Sequence, residues 1–252
     1  MRLLVFNDPH RGFTPKTSRI HEEVFNKIDQ SSFDAVLVCG DWGTAKTDHV
    51  RGAFKAFRKA FPDKPILGVL GNHDFWDPKN TIPVIEHYLE RYAKESNIHL
   101  LDKNPIELGG VLFMGFNGWF FYPDPQQDVN PHVRRTHIRL HVAGMTTDDY
   151  FRKKAEESVD FILKYPTEGK KVVVASHFPC VEETMGNHVY HCGNPSHGEK
   201  LLSKADYMFF GHTHEKVDVT IGKTRVINVG SGYQEENHNI KEYFLYEIVE
   251  IK

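Results

Sequence analysis

Five times in this chain an apolar run ends abruptly in a polar cluster, and that recurrence limits the fold more than any bulk property does. Leu3-Leu4-Val5-Phe6 precedes Asp8-Pro9-His10, and Val36-Leu37-Val38-Cys39 precedes Gly40-Asp41. Ile66-Leu67-Gly68-Val69-Leu70 precedes Gly71-Asn72-His73-Asp74, Val172-Val173-Val174-Ala175 comes shortly before His177, and Met208-Phe209-Phe210 precedes Gly211-His212-Thr213-His214. Continuous apolar runs of this length read as strands buried on both faces, the pattern of parallel sheets covered by other layers. Open α/β sheets bind ligands at the carboxyl ends of their strands. One such cluster by itself fits a solvated turn. Five in series place Asp, His and Asn side chains on one rim, where burial without a cation or a hydrogen-bond network would be costly.

Between the early runs lie helical patterns. Ile20, Val24 and Ile28 recur at four-residue spacing in 17–30; Val50, Phe54, Phe57 and Phe61 line one face of 47–61; and Ile82, Ile85, Leu89 and Tyr92 do so in 82–95. These read as crossover helices between parallel strands, and the phenylalanine stripe reads as core. Pro62-Asp63-Lys64-Pro65 stops the second helix. Beyond residue 98 strand-like runs come closer together, at 98–101, 111–116, 172–175, 207–210, 217–221, 225–228 and 242–249, and a second sheet is expected to grow from these. Gly109-Gly110 and Gly222-Lys223 fit tight hairpin turns. Residues 148–165 form a further amphipathic helix, with Phe151, Ala155, Val159 and Ile162 on one face and Thr147 placed as its cap.

The ordered series Asp8-x-His10, Gly40-Asp41, Gly71-Asn72-His73-Asp74, His177 and Gly211-His212-x-His214 resembles the signature of the calcineurin-like metallophosphoesterase superfamily. The resemblance implies an α/β fold, a four-layer α-β-β-α sandwich with two packed mixed β-sheets, and a dinuclear metal site at the strand ends. It implies that Asp8, His10, Asp41 and His214 hold one ion and that Asp41, Asn72, His177 and His212 hold the other, with Asp41 bridging. His73 would lie over the site as the catalytic acid, oriented by Asp74. The implied activity is a metallophosphoesterase in which a metal-bridging hydroxide attacks phosphorus in line.

The residue chemistry agrees. Carboxylate, imidazole and amide oxygen suit borderline-hard divalent ions, with manganese expected first and iron, zinc or nickel also accommodated. Two such ions can clamp the attacking and leaving oxygens of a phosphoryl transfer and lower the pKa of a water between them. The protein serine/threonine phosphatases of the superfamily follow the bridging Asp with a further Asp-Arg-Gly, whereas this chain reads Gly40-Asp41-Trp42-Gly43-Thr44-Ala45-Lys46. A phosphodiesterase is therefore expected ahead of a phosphomonoesterase. A nuclease acting on single strands and a non-catalytic scaffold of the same fold are the alternatives. Pro9, inserted between two ligands, fixes one φ near −65° and stiffens that loop.

At 252 residues with 40% hydrophobic content the chain is long enough for one two-sheet domain spanning 1–252. A net charge of −3 supplies no global attraction to nucleic acid. Cys39, Cys180 and Cys192 lack a disulfide-like spacing, and Cys39 falls in a buried strand. The first apolar run is too short for a signal or membrane segment, so a cytoplasmic protein without membrane contact is expected.

Two segments look like inserts. Residues 115–144 contain Trp119-Phe120-Phe121-Tyr122 and then 131–141, with Arg134, Arg135, Arg139 and three histidines but no acid. Such a cluster can grip the phosphate of a nucleotide or nucleic acid while aromatics stack on a base, or it can be a solvated basic face. The aromatics fit a pocket wall, a dimer contact or core, which leaves the oligomeric state open. Residues 182–199 bring His188, His191, Cys192 and His197 into a loop with Gly and Pro, read as flanking the main site rather than as a separate zinc site. The resemblance implies that Asn228, Gly230, Ser231 and Gly232 pack beneath the metal rim.

Overall fold

A computed structural model of the chain describes residues 1–12, 15–44, 46–77, 79–118, 147–185, 193–230 and 246–252. Strands β1 (Arg2–Phe6), β2 (Ala35–Cys39), β3 (Ile66–Val69) and β4 (His99–Leu100) run parallel, and β11 (Tyr246–Glu250) pairs antiparallel with β1 to give a five-stranded sheet ordered β11-β1-β2-β3-β4. The second sheet has six strands: β5 (Ile106–Leu108), β6 (Val111–Phe116), β7 (Lys171–Ser176), β8 (Tyr207–Phe209), β9 (Lys216–Ile221) and β10 (Thr224–Val229). Its order is β5-β6-β7-β8-β10-β9, with β6, β7, β8 and β10 parallel and the edge strands antiparallel.

Side-chain alternation divides the apolar residues among three clusters. Leu3, Val5, Leu37, Val69, Phe113, Val173, Phe209 and Ile227 point inward and form the layer between the sheets. Leu4, Phe6, Val36 and Val38 point outward against helices α1 (Pro15–Phe25), α2 (Thr47–Ala60) and α3 (Ile82–Glu95). Leu112, Met114, Val172, Val174 and Met208 point outward on the other side, under α4 (Thr147–Lys164) and α5 (Pro195–Lys204). The result is the expected four-layer sandwich. The stripe of Val50, Phe54, Phe57 and Phe61 is wholly buried, each side chain contributing about 1.5–3 kcal/mol of transfer free energy. Among the described residues no helix is long and apolar enough to cross a membrane.

Four details differ from the sequence reading. Strands β4 and β11 join the first sheet rather than the second. A two-residue edge strand and a strand returning from the far end of the chain are placed by sheet order, which local patterning does not encode. Helix α1 ends at Phe25, because Lys27 and Ile28 bond back to Val24 and Phe25 at three-residue spacing and tighten the last turn. Strand β5 was hidden by its length, although it forms the expected hairpin across Gly109-Gly110, both at positive φ. Within 182–199, residues from Pro195 onward begin α5, started by the Asn194 side chain accepting from Ser196 N–H at 3.0 Å and by Pro195 in the first turn. His197 lies on that helix and is buried, so it belongs to the packing of α5.

Candidate metal centre

All five polar clusters leave the carboxyl ends of parallel strands, three in one sheet and two in the other, and face-to-face packing brings those ends together. Backbone bonds lock the loops: His10 N–H donates to Asp41 C=O at 2.8 Å, and Gly211 N–H donates to His177 C=O at 2.9 Å. Across the sheets, His212 N–H reaches the Asp8 carboxylate at 3.0 and 2.9 Å. Two glycines permit this closeness. A Cβ on Gly211 would stand 2.7 Å from both Asp8 Oδ2 and Cys39 O, and one on Gly71 would stand 2.5 Å from Asp41 N.

Ligand atoms converge in three overlapping groups, each within 4.8 Å: Asp8, His10 and His214; His10, Asp41 and His73; and Asp8, Asp41 and His177. Asp41 belongs to two groups through different oxygens. Its Oδ2 lies 3.7 Å from His10 Nε2 and 3.9 Å from His73 Nε2, while Oδ1 lies 3.5 Å from His177 Nε2. Asp8 Oδ1 lies 3.8 Å from both His177 Nδ1 and His214 Nε2, and the Nε2 atoms of His10 and His214 are 3.4 Å apart. The His212 ring packs against His177 and Phe178, at centroid distances of 5.1 and 4.3 Å. Asp74 accepts from Gly71 N–H at 2.9 Å and Gly43 N–H at 3.0 Å, which ties the turn carrying Asn72 and His73 to the loop carrying Asp41.

The donor set fits divalent cations. Burial raises the Asp41 carboxyl well above its usual range, with the Asp74 and Asp8 carboxylates adding to the effect. Burial likewise pushes His10 well below its usual value, helped by the imidazoles around it, and lowers His177 to about 3. The neutral rings therefore present lone pairs. His177 Nδ1–H donates to Cys39 C=O at 2.9 Å, which leaves Nε2 as an acceptor facing Asn72 Oδ1 at 2.9 Å. Two facing acceptors repel unless a cation is shared, and 2.9 Å is close to the separation of neighbouring ligands that each stand ~2.1 Å from one ion.

The backbone adds an independent mark. Asp8 (φ 44°), His10 (φ 44°), Asp41 (φ 51°), His212 (φ 67°) and His214 (φ 57°) all occupy the left-handed region, which only Asn97 and Lys103 share among the described non-glycine residues. Conformations disfavoured for L-residues, gathered at one rim, mark it as the candidate functional site.

The sequence placed Asn228 beneath the rim, as the structure does, but gave no notice of its partner Asn7 or of Asn117. Asn7 Nδ2 donates to Phe210 C=O at 2.7 Å and to Asn228 Oδ1 at 2.5 Å, while Asn228 Nδ2 donates to Gly211 C=O at 3.2 Å and Thr213 Oγ1 at 3.1 Å. Asn117 accepts Leu70 N–H through Oδ1 and the His177 and Phe178 N–H groups through its carbonyl. Both Asn7 and Asn117 directly follow buried strands, the same signal that marked the ligands. Arg134, Arg135 and Arg139, the 119–122 aromatics, His188, His191, Cys192 and Ser231 lie outside the described residues.

A four-layer sandwich with carboxylate and imidazole donors at its strand ends has the architecture of a metal-dependent hydrolase. The chain belongs to the calcineurin-like phosphoesterase family, whose model matches residues 1–216, and that family is dinuclear and metal-dependent. Among solved structures, a phosphopantetheinyl hydrolase (PptH) from Mycobacterium tuberculosis aligns over 93% of this chain and 90% of its own, with a TM-score of 0.69 and 19% identity. A hypothetical protein from Thermus thermophilus aligns over 93% and 79%, with a TM-score of 0.53 and 17% identity. A dimetal phosphatase from Danio rerio aligns over 90% and 86%, with a TM-score of 0.53 and 11% identity. At these identities the likeness is one of fold. No curated protein sequence matches.

Proposed function

We propose that the chain is a phosphodiesterase using two divalent ions, manganese first among them. One ion would be held by Asp8, His10, Asp41 and His214, the other by Asp41, Asn72, His177 and His212. The observation that carries this reading is the division of Asp41, whose two carboxylate oxygens face different groups of donors. When bound, the ions supply charge stabilisation and an activated water for in-line attack on phosphorus. The chain's own contribution is placement: backbone bonds among the loops fix the donors before substrate arrives, and His73 stands at the rim to pass a proton to the departing alkoxide.

The diester preference draws support from Trp42. The residue after Asp41 is buried in the core, donating its indole N–H to Val69 C=O at 2.8 Å and packing edge-on against Phe54 and Phe57. Neither Trp42 nor Gly43, Thr44 and Ala45 after it supplies the arginine of the Asp-Arg-Gly phosphatases, so this stretch offers no guanidinium to the second negative charge of a monoester, whereas a diester carries a single charge.

The test is hydrolysis of bis-p-nitrophenyl phosphate beside p-nitrophenyl phosphate, after metal stripping and after Mn²⁺ reloading. Diester turnover should exceed monoester turnover, vanish on stripping and fall by roughly 100-fold or more in Asn72→Ala. A stripped enzyme that keeps its rate, or a monoester preference, overturns the proposal.

A further inference from the structure

We propose that Trp76 is a positioning residue for His73, holding the imidazole at the angle needed to protonate the leaving group. The inference deepens the reading above and rests on it.

Asn72–Phe75 form one 3-10 turn, in which side chains three residues apart eclipse. Trp76 extends that turn by donating its backbone N–H to His73 C=O at 3.3 Å. Its indole therefore falls on the imidazole of His73, with ring centroids 3.7 Å apart and planes inclined by 35°. His10 meets the same imidazole edge-on at 4.7 Å, and His73 N–H is fixed to Asp41 Oδ1 at 2.8 Å. Backbone and ring are thus both held, and the indole supplies a broad flat surface for the ring.

Trp76 packs against the same core as Trp42, Phe75 and Phe178, but those three are fully buried whereas Trp76 stays partly exposed, with its ring against the imidazole of His73. Without its flat face the His73 ring gains rotamers that point its nitrogen away from the departing oxygen. A proton is delivered to that oxygen as the P–O bond breaks, so the loss should be felt only where the leaving group needs the proton.

The experiment is a leaving-group series of methyl phosphodiesters, from p-nitrophenyl, which departs as a stable anion, to alkyl, which does not. His73→Ala should lose far more activity on the alkyl ester than on the nitrophenyl ester. Trp76→Leu should repeat that pattern, losing roughly 10- to 100-fold on the alkyl ester with Mn²⁺ content unchanged, and Trp76→Phe, which keeps a flat face, should recover most of it. If His73→Ala loses both esters equally, the role of His73 fails and the inference falls with it. If His73→Ala discriminates while Trp76→Leu is unaffected or loses both esters alike, the role of Trp76 alone is overturned. A phenylalanine variant as poor as the leucine variant overturns that role as well.

Discussion

Gly71→Ala is the sharpest single test of how this site is assembled. Gly71 has φ −109° and ψ 179°, an extended conformation open to any residue, so alanine introduces no backbone strain of its own. The change is confined to one methyl group, which would overlap Asp41 Oδ1 and stand 2.5 Å from Asp41 N and 2.8 Å from its Cγ. These distances are about 1 Å short of ordinary van der Waals contact. Asp41 has little room to retreat. Its backbone is held at φ 51°, its carbonyl accepts from His10, and Oδ1 accepts from His73 N–H.

The carboxylate must therefore turn, giving up the bond from His73 N–H and its 3.5 Å approach to His177 Nε2. Overpacking of this kind costs about 1–3 kcal/mol, and losing a buried bond to a charged acceptor costs a further ~1.5–3 kcal/mol. A catalytic group displaced by about 1 Å lowers turnover by roughly 100-fold. Denaturant titration of the metal-free protein, calorimetric titration with Mn²⁺ and turnover of the reloaded enzyme measure the three effects. Gly52→Ala is the matched comparison: it lies exposed inside α2 with no atom within 4 Å of the added methyl, and should gain about 0.5–1 kcal/mol. Turnover and Mn²⁺ affinity within about twofold of wild type in Gly71→Ala would refute the close-approach reasoning.

Two further outcomes follow from buried polar groups away from the reacting atoms. His21 is buried on α1 and burial, with Arg11 adding to it, lowers its pKa from 6.5 to about 3. The folded state then stays neutral while the unfolded state takes up a proton, so the stability is fully present above pH 6.5 and is lost as pH falls toward 3. Near pH 5 the slope from this one group is about 1 kcal/mol per pH unit, and His21→Leu should flatten the dependence of the denaturation midpoint by that amount; equal slopes would contradict the assignment. Asn228→Ala strips four hydrogen bonds, two of them to Gly211 and Thr213 in the loop that carries His212 and His214 and the others from Asn7 and Gly230. It should cost about 2–5 kcal/mol in urea denaturation and weaken Mn²⁺ binding by roughly 10- to 100-fold, and an unchanged Mn²⁺ isotherm would show that the loop does not depend on it.

The difference between what the chain displays and what it conceals is physical. The sandwich was legible because apolar runs and four-residue spacings are local, and they place Phe6, Phe54, Phe57 and Leu89 in the core whatever the rest of the chain does. The sheet membership of β4 and β11 was not, since it depends on which edge lies open once β1 to β3 have paired. Helix α5 lay inside a segment whose glycines and prolines read as loop, although Asn194-Pro195 is itself a helix start. For the site, residue types and order pointed to side chains that the fold does bring together, Asp8, His10, Asp41, His177 and His214 among them. Trp76 was overlooked because its value lies in a three-residue offset within a 3-10 turn, which looks like nothing in a pattern of buried strands.

Least legible was the backbone at the donors themselves. Nothing in Asp8, His10, Asp41, His212 or His214 announces a positive φ, and each such residue costs about 1–2 kcal/mol relative to its relaxed conformation. The cost persists because neighbouring loops impose it: Asp41 C=O captures His10 N–H, the Asp8 carboxylate captures His212 N–H, and Asp74 ties Gly43 to Gly71. An extended backbone at these positions would continue the strands, with side chains alternating to the two faces of each sheet instead of gathering at the rim. The strain and the convergence of ligands are therefore one feature of the fold, and a substitution that relaxes the first disperses the second.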